Sequence, residues 1–354
     1  MNKNYFFDIY KLCLIFNSIF TRLYRERRNI LVEEMKVTVI CLAYNHENYI
    51  ADAIEGIVMQ KTNFAFELLI HDDASIDQTA AIIKSYEEKY PSVIRAIYQT
   101  ENKHSQGFNT EEWLMGQSRG QYIAVCEGDD YWISEDKLQK QFDYMEQHPN
   151  VSLCVHSAKE IDAQTKKLKS YCRPSKGSKF FTVDEIILGD GGLFATNSMF
   201  FRKQLAFKEF AFTKYAPVED YAYTIILGLQ GDVYYLDECL SVYRVNVPNS
   251  WTTTHLSKAE GYRRHFDKME KMLVELNKET NYRHDASVKQ RMLLNEYITL
   301  MKERDFKTMK DEKFRPLEKQ LSWQRKLIFK FERYFPALFL YMKQHKGWLH
   351  WVIK

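Results

Sequence analysis

From Val37 onward, short apolar runs rich in β-formers alternate with stretches in which apolar residues recur at helical spacing. This alternation predicts strands over 37–43, 67–71, 93–98 and 122–126, separated by helices over 48–60, 77–90 and 111–118. Asp77 suits a helix N-cap and Pro91 a helix stop. Strand and helix in turn imply an α/β protein with a mainly parallel sheet flanked by crossover helices. Tyr44-Asn45, Asp72-Asp73 and Glu127 to Asp130 then all fall just past strand ends, where the loops of an open α/β sheet converge on one crevice.

The second half is less regular. The pattern predicts a helix over 137–147 and a strand over 151–156. A Lys-rich stretch over 159–179 reads as a solvated hairpin or loop. Gly191-Gly192 introduces an extended run over 194–202, followed by a helix over 219–229 and short strands over 233–236 and 241–245. Beyond Trp251 the chain turns charged and helical, with no internal repeat. The expected organisation is an N-terminal extension over 1–34, a catalytic domain over 35–254 and a helical C-terminal extension over 255–354.

The first 34 residues are apolar and aromatic, but the run from Leu12 to Phe20 is about half the ~20 residues a membrane helix needs. No small-residue cleavage site follows it, and Arg22, Arg25, Arg27 and Arg28 come after. Two readings stay open: an interfacial helix, or an extension upstream of a true start at Met35. At the other end, Trp323, Phe329, Phe331, Tyr334, Phe335, Phe339, Tyr341, Trp348 and Trp351 interleave with Arg325, Lys326, Lys330, Arg333, Lys343 and Lys346. Pro336 divides any helix there. Such a segment suits either an anionic membrane surface or an amphipathic helix pair packed on the catalytic domain.

Composition narrows the classes further. Lys+Arg of 50 against Asp+Glu of 47 leaves a net charge of +3, too even for a surface that holds nucleic acid. The six cysteines are scattered without metal-ligand spacing, which fits reduced cytosolic thiols. The first strand leads into Ala43-Tyr44-Asn45-His46-Glu47, with no glycine-rich phosphate loop and no Gly-Lys-Ser/Thr. A nicotinamide-dependent oxidoreductase and a P-loop NTPase are therefore excluded.

Three acidic or polar clusters at consecutive strand ends suit a ligand that carries phosphates and a divalent cation. Crowded carboxylates repel unless protons or a cation neutralise them, and Mg2+ or Mn2+ bridges carboxylate to diphosphate. Asp72 and Asp73 taken alone would serve equally as a turn and helix cap, and Tyr44 as core packing.

The segments Val37-Thr-Val-Ile-Cys-Leu-Ala-Tyr-Asn45, Leu69-Ile-His-Asp-Asp-Ala-Ser-Ile-Asp77 and Cys126-Glu-Gly-Asp-Asp-Tyr-Trp132 resemble, in order and spacing, three motifs of glycosyltransferase family 2. These are its opening strand, its Asp-Asp-Gly-Ser-x-Asp loop and its metal-binding Asp-x-Asp region. Lys137-Leu-Gln-Lys-Gln141, Asn197-Ser-Met-Phe-Phe-Arg202, Val218-Glu-Asp220 and Tyr243-Arg244 extend the similarity to about residues 36–252. The resemblance implies a GT-A (nucleotide-diphospho-sugar transferase) fold, inverting transfer, and a donor diphosphate bridged by Mn2+ or Mg2+.

It also implies roles. Ala43, Tyr44, Asn45 and Glu47 would line the nucleotide site, and Asp72 or Asp73 would accept a hydrogen bond from the base. Asp129 would hold the metal. Glu127 stands where the family has its first Asp, one methylene longer, and would meet ribose or metal-bound water. Asp130 would support the loop or cap a helix. Asp220 matches the catalytic base, although a carboxylate at a helix start also simply favours the dipole. Arg244 would meet a phosphate or an acidic neighbour, and Asn246 replaces a His often found two residues after that Arg. His255 could substitute from a loop, and Asn249-Ser-Trp251 could fold over the donor as a lid.

The expected partners are a nucleotide-sugar donor, a saccharide or lipid-linked acceptor and an anionic membrane surface. The expected setting is bacterial surface-polysaccharide or lipopolysaccharide synthesis in the cytoplasm, peripheral on the inner face of the cell membrane. The rival reading is a membrane- or partner-binding protein that keeps the fold and has lost activity.

Overall fold

The computed structural model describes residues 34–256 and 258–320 together with Phe331 and Phe335, and everything below refers to these. The readings of residues 1–33 and of most of the basic-aromatic tail lie outside them.

The first half follows the predicted alternation: β1 (Met35–Ala43), α1 (Ile50–Val58), β2 (Ala65–Asp72), α2 (Thr79–Lys89), β3 (Ile94–Tyr98), α3 (Thr110–Gln117) and β4 (Tyr122–Val125). Next come β5 (Tyr131–Trp132), α4 (Lys137–Gln147), β6 (Val151–Asp162), β7 (Leu168–Cys172), β8 (Lys179–Phe181), α5 (Val183–Gly189), β9 (Phe200–Arg202), α6 (Lys203–Ala206), α7 (Glu219–Gly228) and β10 (Asp232–Val245). Helices α8 (Trp251–His255), α9 (Ala259–Glu279), α10 (Asp285–Glu303) and α11 (Arg315–Gln320) close the described chain. The N-cap of α2 is Gln78 rather than Asp77, which lies one residue earlier and accepts the Thr79 N–H through its Oδ1 at 2.9 Å.

One sheet runs in the order β3-β2-β1-β4-β9-β6-β10-β5, with β7 beside β6 and β8 beside β10. The strands β3, β2, β1 and β4 are all parallel, so their C-terminal ends share one edge. The expectation of a mainly parallel sheet holds for this half and for the β6–β10 pair. It fails for β9, which runs antiparallel to both β4 and β6, and for β5, β7 and β8. The sheet is mixed because strand direction depends on the connection. Phe194 to Arg202 reads as one extended run, but a 3-10 turn at Thr196–Ser198 leaves only three residues for β9.

Two apolar layers sandwich the sheet. Val37, Val39, Cys41 and Ala43 of β1 face Ile50, Ile54 and Ile57 of α1 and Leu138 of α4. Ile40 faces the other layer with Leu69, Ile123 and α7 residues Ile225 and Ile226. This is the period-two alternation of a strand buried on both faces, each such aliphatic side chain stabilising by ~1.5–3 kcal/mol. The second layer continues into α9 and α10 through Met269, Met272, Leu273, Leu276 and Val288. The spacing of Met269, Leu273 and Leu276 puts one apolar stripe of α9 on this layer. Arg291 of α10 is buried and ties that helix to the C-terminal end of α5, donating to the Leu188 carbonyl at 3.0 Å and pairing with Asp190 at 2.8 Å. No helix among the described residues is long and apolar enough to cross a membrane.

Candidate active site

The parallel register brings the loops after β1 and β2 side by side, and hydrogen bonds lace them together. The Asp73 N–H donates to the Ala43 carbonyl at 2.9 Å. Asn45, at φ 56°, takes the left-handed turn that asparagine tolerates. Its N–H donates to Ser75 Oγ at 2.9 Å, and its Oδ1 accepts from the Ile76 N–H at 2.9 Å. Glu47 accepts from the Gln78 N–H at 3.0 Å, while its own N–H donates to Asp77 at 3.1 Å. The side chains of Asn45 and Glu47 thus shape the crevice wall.

Two groups in this wall remain open. Tyr44, on the loop after β1, is 40% exposed. Asp72 is buried, and its Oδ1 has no hydrogen-bond partner. Burial pushes its pKa up, against hydrogen bonds from Ser75 that pull it down. Asp73 differs: its two oxygens accept the N–H groups of Lys103 at 2.7 Å and His104 at 3.1 Å, which fixes the loop after β3.

The acidic run leaves β4 and packs against the first loop. The Gly128 N–H donates to the Leu42 carbonyl at 2.9 Å. A Cβ at Gly128 would come within 2.8 Å of His46 Nδ1 and 3.0 Å of that carbonyl, so only glycine fits between the loops. Asp129 and Glu127 are half-buried, and neither carboxylate has a hydrogen bond or ion pair. Burial, then the charges of Asp129 and Asp130, push the Glu127 pKa well up. Asp130 points the opposite way. It is buried, its Oδ1 accepts from the Arg244 N–H at 2.7 Å, and its Oδ2 accepts from Asn197 Nδ2 at 2.9 Å. Its expected nucleotide-site position is therefore an inner, supporting one.

Arg244 arrives because β5, immediately after the acidic run, pairs antiparallel with β10. Its guanidinium lies over the rings of Tyr131 at 4.5 Å and Tyr49 at 5.2 Å. Nη1 donates to the Asp129 carbonyl at 2.7 Å and Nη2 pairs with Asp52. Of the two partners open to Arg244 in the sequence, phosphate or acidic neighbour, the structure pairs it with the neighbour.

Asp220 begins α7 and is half-buried. Its Oδ2 accepts from Thr196 Oγ1 at 3.0 Å and its Oδ1 from the Tyr221 N–H at 2.6 Å. Burial raises its pKa to about 6, with the charges of Glu219 and Asp190 adding to the rise. Asp220 shares a small cavity with Glu111 of α3, Leu42, Val125 and Tyr223. Burial, then Glu219 and Asp220, raises Glu111 to about 8. Tyr243 lies near the same charges, its pKa pushed well up by burial and then by Asp130, Glu127, Asp129 and Asp220.

The end of β10 turns away from this cluster. Asn246, at φ 62°, donates through Nδ2 to Asp162 at 2.8 Å and thereby ties β10 to the end of β6. His255 stacks on Trp251 at 5.1 Å, and Trp251 meets His265 edge-on at 5.4 Å.

Sequence reading missed Glu111, Asp52, Thr196 and Tyr243. Asp52 and Glu111 lie inside helical patterns, where a carboxylate resembles any solvated face. Asn197 belongs to a quoted motif, but nothing in its neighbours assigned it a role.

No group of three or more His, Cys, Asp or Glu among the described residues is arranged to hold an ion by itself. The donor set nevertheless fits a hard divalent cation. Asp129 presents an unpartnered carboxylate beside that of Glu127, and oxygen ligands from a diphosphate would complete the shell.

Solved structures share this architecture. S. aureus TarS (1–349), in complex with UDP-GlcNAc, superposes with TM-score 0.56 at 17% identity, covering 84% of this chain and 81% of that one. The mannosyltransferase PcManGT of Pyrobaculum calidifontis, in complex with GDP-Man and Mn2+, gives 0.51 at 14%, covering 95% and 91%. The fold is that of the GT-A nucleotide-diphospho-sugar transferases. Residues 38–209 match the family model described as Glycosyl transferase family 2, so the chain is similar to that family over this stretch. An uncharacterized protein of Mycobacterium tuberculosis is 30% identical over 222 residues, 63% of this chain and 62% of the relative. An uncharacterized glycosyltransferase of Nostoc is 26% identical over 231 residues, covering 64% and 68%. The chain thus spans about 62% of the length of the mycobacterial relatives it matches.

Proposed function

We infer that the protein is an inverting glycosyltransferase, moving a sugar from a nucleoside diphosphate donor to a hydroxyl of a saccharide or lipid-linked acceptor. The observation that carries this reading is the division of labour among its carboxylates. Asp73, Asp130, Asn45 and Glu47 are spent on holding loops. Asp72, Glu127, Asp129 and Tyr44 keep free groups around one crevice.

Tyr44 would give the base a face to stack on, and Asp72 Oδ1 would accept an N–H from its edge. Asp129, with Glu127 beside it, would hold Mn2+ or Mg2+ against the diphosphate. Bound there, the ion supplies Lewis-acid stabilisation of the charge on the leaving diphosphate.

Asp220 is the general base. At a pKa of about 6 it is ionised at neutral pH yet basic enough to take the acceptor proton as the new C–O bond forms. Thr196 and the Tyr221 N–H hold its orientation.

Synthesis of a bacterial surface polysaccharide or lipopolysaccharide at the inner face of the cell membrane extends the reading. It is supported by the family resemblance and by the basic and aromatic residues of 321–354.

A nucleotide-sugar panel with and without Mn2+, followed by thermal shift and by release of nucleoside diphosphate, tests the proposal. Stabilisation by at least one donor and its turnover are expected. An intact fold that binds and hydrolyses none would overturn the assignment and favour the non-catalytic reading.

A further inference from the structure

Asn197 is completely buried, and both polar atoms of its side chain are engaged. Its Nδ2 donates to Asp130 Oδ2 at 2.9 Å and to the Val242 carbonyl at 2.9 Å. Its Oδ1 accepts from Ser241 Oγ at 2.7 Å, and its backbone carbonyl accepts from the Trp132 indole N–H at 2.9 Å. Only one orientation of the amide satisfies these neighbours, because a carboxylate and a carbonyl need a donor while the Ser241 hydroxyl is free to donate.

The network joins three pieces of chain that are far apart in sequence. Asp130 directly precedes β5 and Trp132 belongs to it, Ser241 and Val242 belong to β10, and Asn197 sits in the 3-10 turn before β9. Asp130 passes the connection on through Oδ1 to the Arg244 N–H, and the Arg244 side chain returns to the Asp129 carbonyl at 2.7 Å. The residue with the free carboxylate is therefore gripped by its own carbonyl from one side. Its neighbour is gripped by its carboxylate from the other.

A second layer stiffens the hub. Gln141 Nε2 donates to the Ser198 carbonyl at 2.9 Å and to the Cys154 carbonyl at 3.0 Å. Lys137 Nζ donates to Gln141 at 2.7 Å and lies 3.9 Å from the centre of the Trp132 ring.

We propose that Asn197, anchored by Ser241, is a positioning residue that turns Asp130 inward so that the Asp129 carboxylate faces the crevice and can bind a divalent cation with the donor diphosphate. The inference rests on the reading given under Proposed function. Adjacent carboxylates cannot both face one small space without repulsion. The two hydrogen bonds that Asp130 accepts, from Asn197 Nδ2 and the Arg244 N–H, settle which of them turns away.

The test compares two ligands that share a base but differ in the diphosphate. Mn2+ binding in the presence of UDP or GDP, whichever the wild type binds, is followed by electron paramagnetic resonance. Binding of the corresponding nucleoside, uridine or guanosine, is followed by calorimetry. Asn197→Asp keeps the shape but sets an acceptor against Asp130 and Val242. It is expected to weaken Mn2+–nucleotide binding at least tenfold while nucleoside affinity stays within twofold. Ser241→Ala, which removes the donor that anchors the amide oxygen, shifts the same ratio about threefold and covers the case in which Asn197→Asp does not fold. Combining Asn197→Asp with Asp130→Asn restores a donor opposite an acceptor and brings Mn2+–nucleotide affinity back to within threefold of wild type. The proposal is overturned if folded variants keep Mn2+–nucleotide affinity within twofold, if nucleoside affinity falls by the same factor, or if the double substitution rescues nothing. A wild type that binds nucleoside but neither Mn2+–nucleotide overturns the metal-positioning role and leaves base recognition standing. A wild type that binds none of them removes the glycosyltransferase reading itself.

Discussion

The guanidinium of Arg244, at the end of β10, closes on the carboxylate of Asp52 in the first crossover helix, 192 residues away in sequence. The Arg244 side chain is 7% exposed, and it also holds the Asp129 carbonyl. The pair fastens the end of β10 to α1, and this gives Arg244 a purpose without any phosphate.

Asp52→Ala and Arg244→Ala are accordingly expected to have similar effects. Each would weaken donor binding several-fold, and the Asp52 change would cost about 1–2 kcal/mol of stability. That figure lies below the range for a fully buried pair because the Asp52 side chain is 53% exposed. Donor titrations and urea melts on both variants check this. If Asp52→Ala left donor affinity untouched while Arg244→Ala abolished it, Arg244 would be a phosphate ligand after all.

Asp220→Asn should lower transfer by about 10²–10⁴-fold, the usual contribution of a positioned base, and leave donor affinity unchanged. Asp129→Ala should do the reverse at the binding step, weakening Mn2+-dependent donor binding. Single-turnover kinetics beside calorimetry separates the two, and retained transfer in Asp220→Asn would remove the residue from the base role.

The pH profile carries the signature of the same carboxylate. Burial raises Asp220 to about 6, and only its ionised form accepts a proton. With chemistry limiting, kcat/KM should be flat above that value and fall about tenfold per pH unit below it. A break near 4 instead would mean that the base is an ordinary exposed carboxylate.

Glu111 makes a prediction about stability. Its folded-state pKa, about 8, lies above the ordinary carboxylate range because of burial and the charges of Glu219 and Asp220. The folded protein holds this proton more tightly than the unfolded chain. Its contribution to stability is therefore fully present below the unfolded pKa and is lost as pH rises toward 8. Glu111→Gln removes the titration. It should leave Tm unchanged at pH 4, below the unfolded pKa, and raise it at pH 8 by roughly 2 °C or more, about 1 kcal/mol in a domain of this size. Thermal melts at the two pH values decide it, and an equal shift at both would exclude ionisation as the cause.

Much of the catalytic half is legible in the amino-acid order. Period-two burial in β1, helical spacing in α1 and α2, and a polar cluster after each strand follow from local rules of pleat and turn. They hold because each element buries its own apolar face. The positions of Tyr44, Asp72 and Asp129 just past strand ends follow in this way, whereas Asp220 was singled out through the family resemblance. What each carboxylate does is not legible there. Asp72 and Asp73 are adjacent and chemically identical, yet one keeps a free buried oxygen while the other is consumed by the backbone of Lys103 and His104. Asp129 and Asp130 divide in the same way, through Asn197 and Arg244. Strand direction at β9 and the pairing of β5 with β10 also came from the tertiary structure, since an apolar run does not record which neighbour it will meet. The sequence by itself determined the elements and the inventory of acidic groups at the crevice. Only the fold, by bringing distant donors within about 3 Å of some carboxylates and not of others, decided which of them remain free to bind and react.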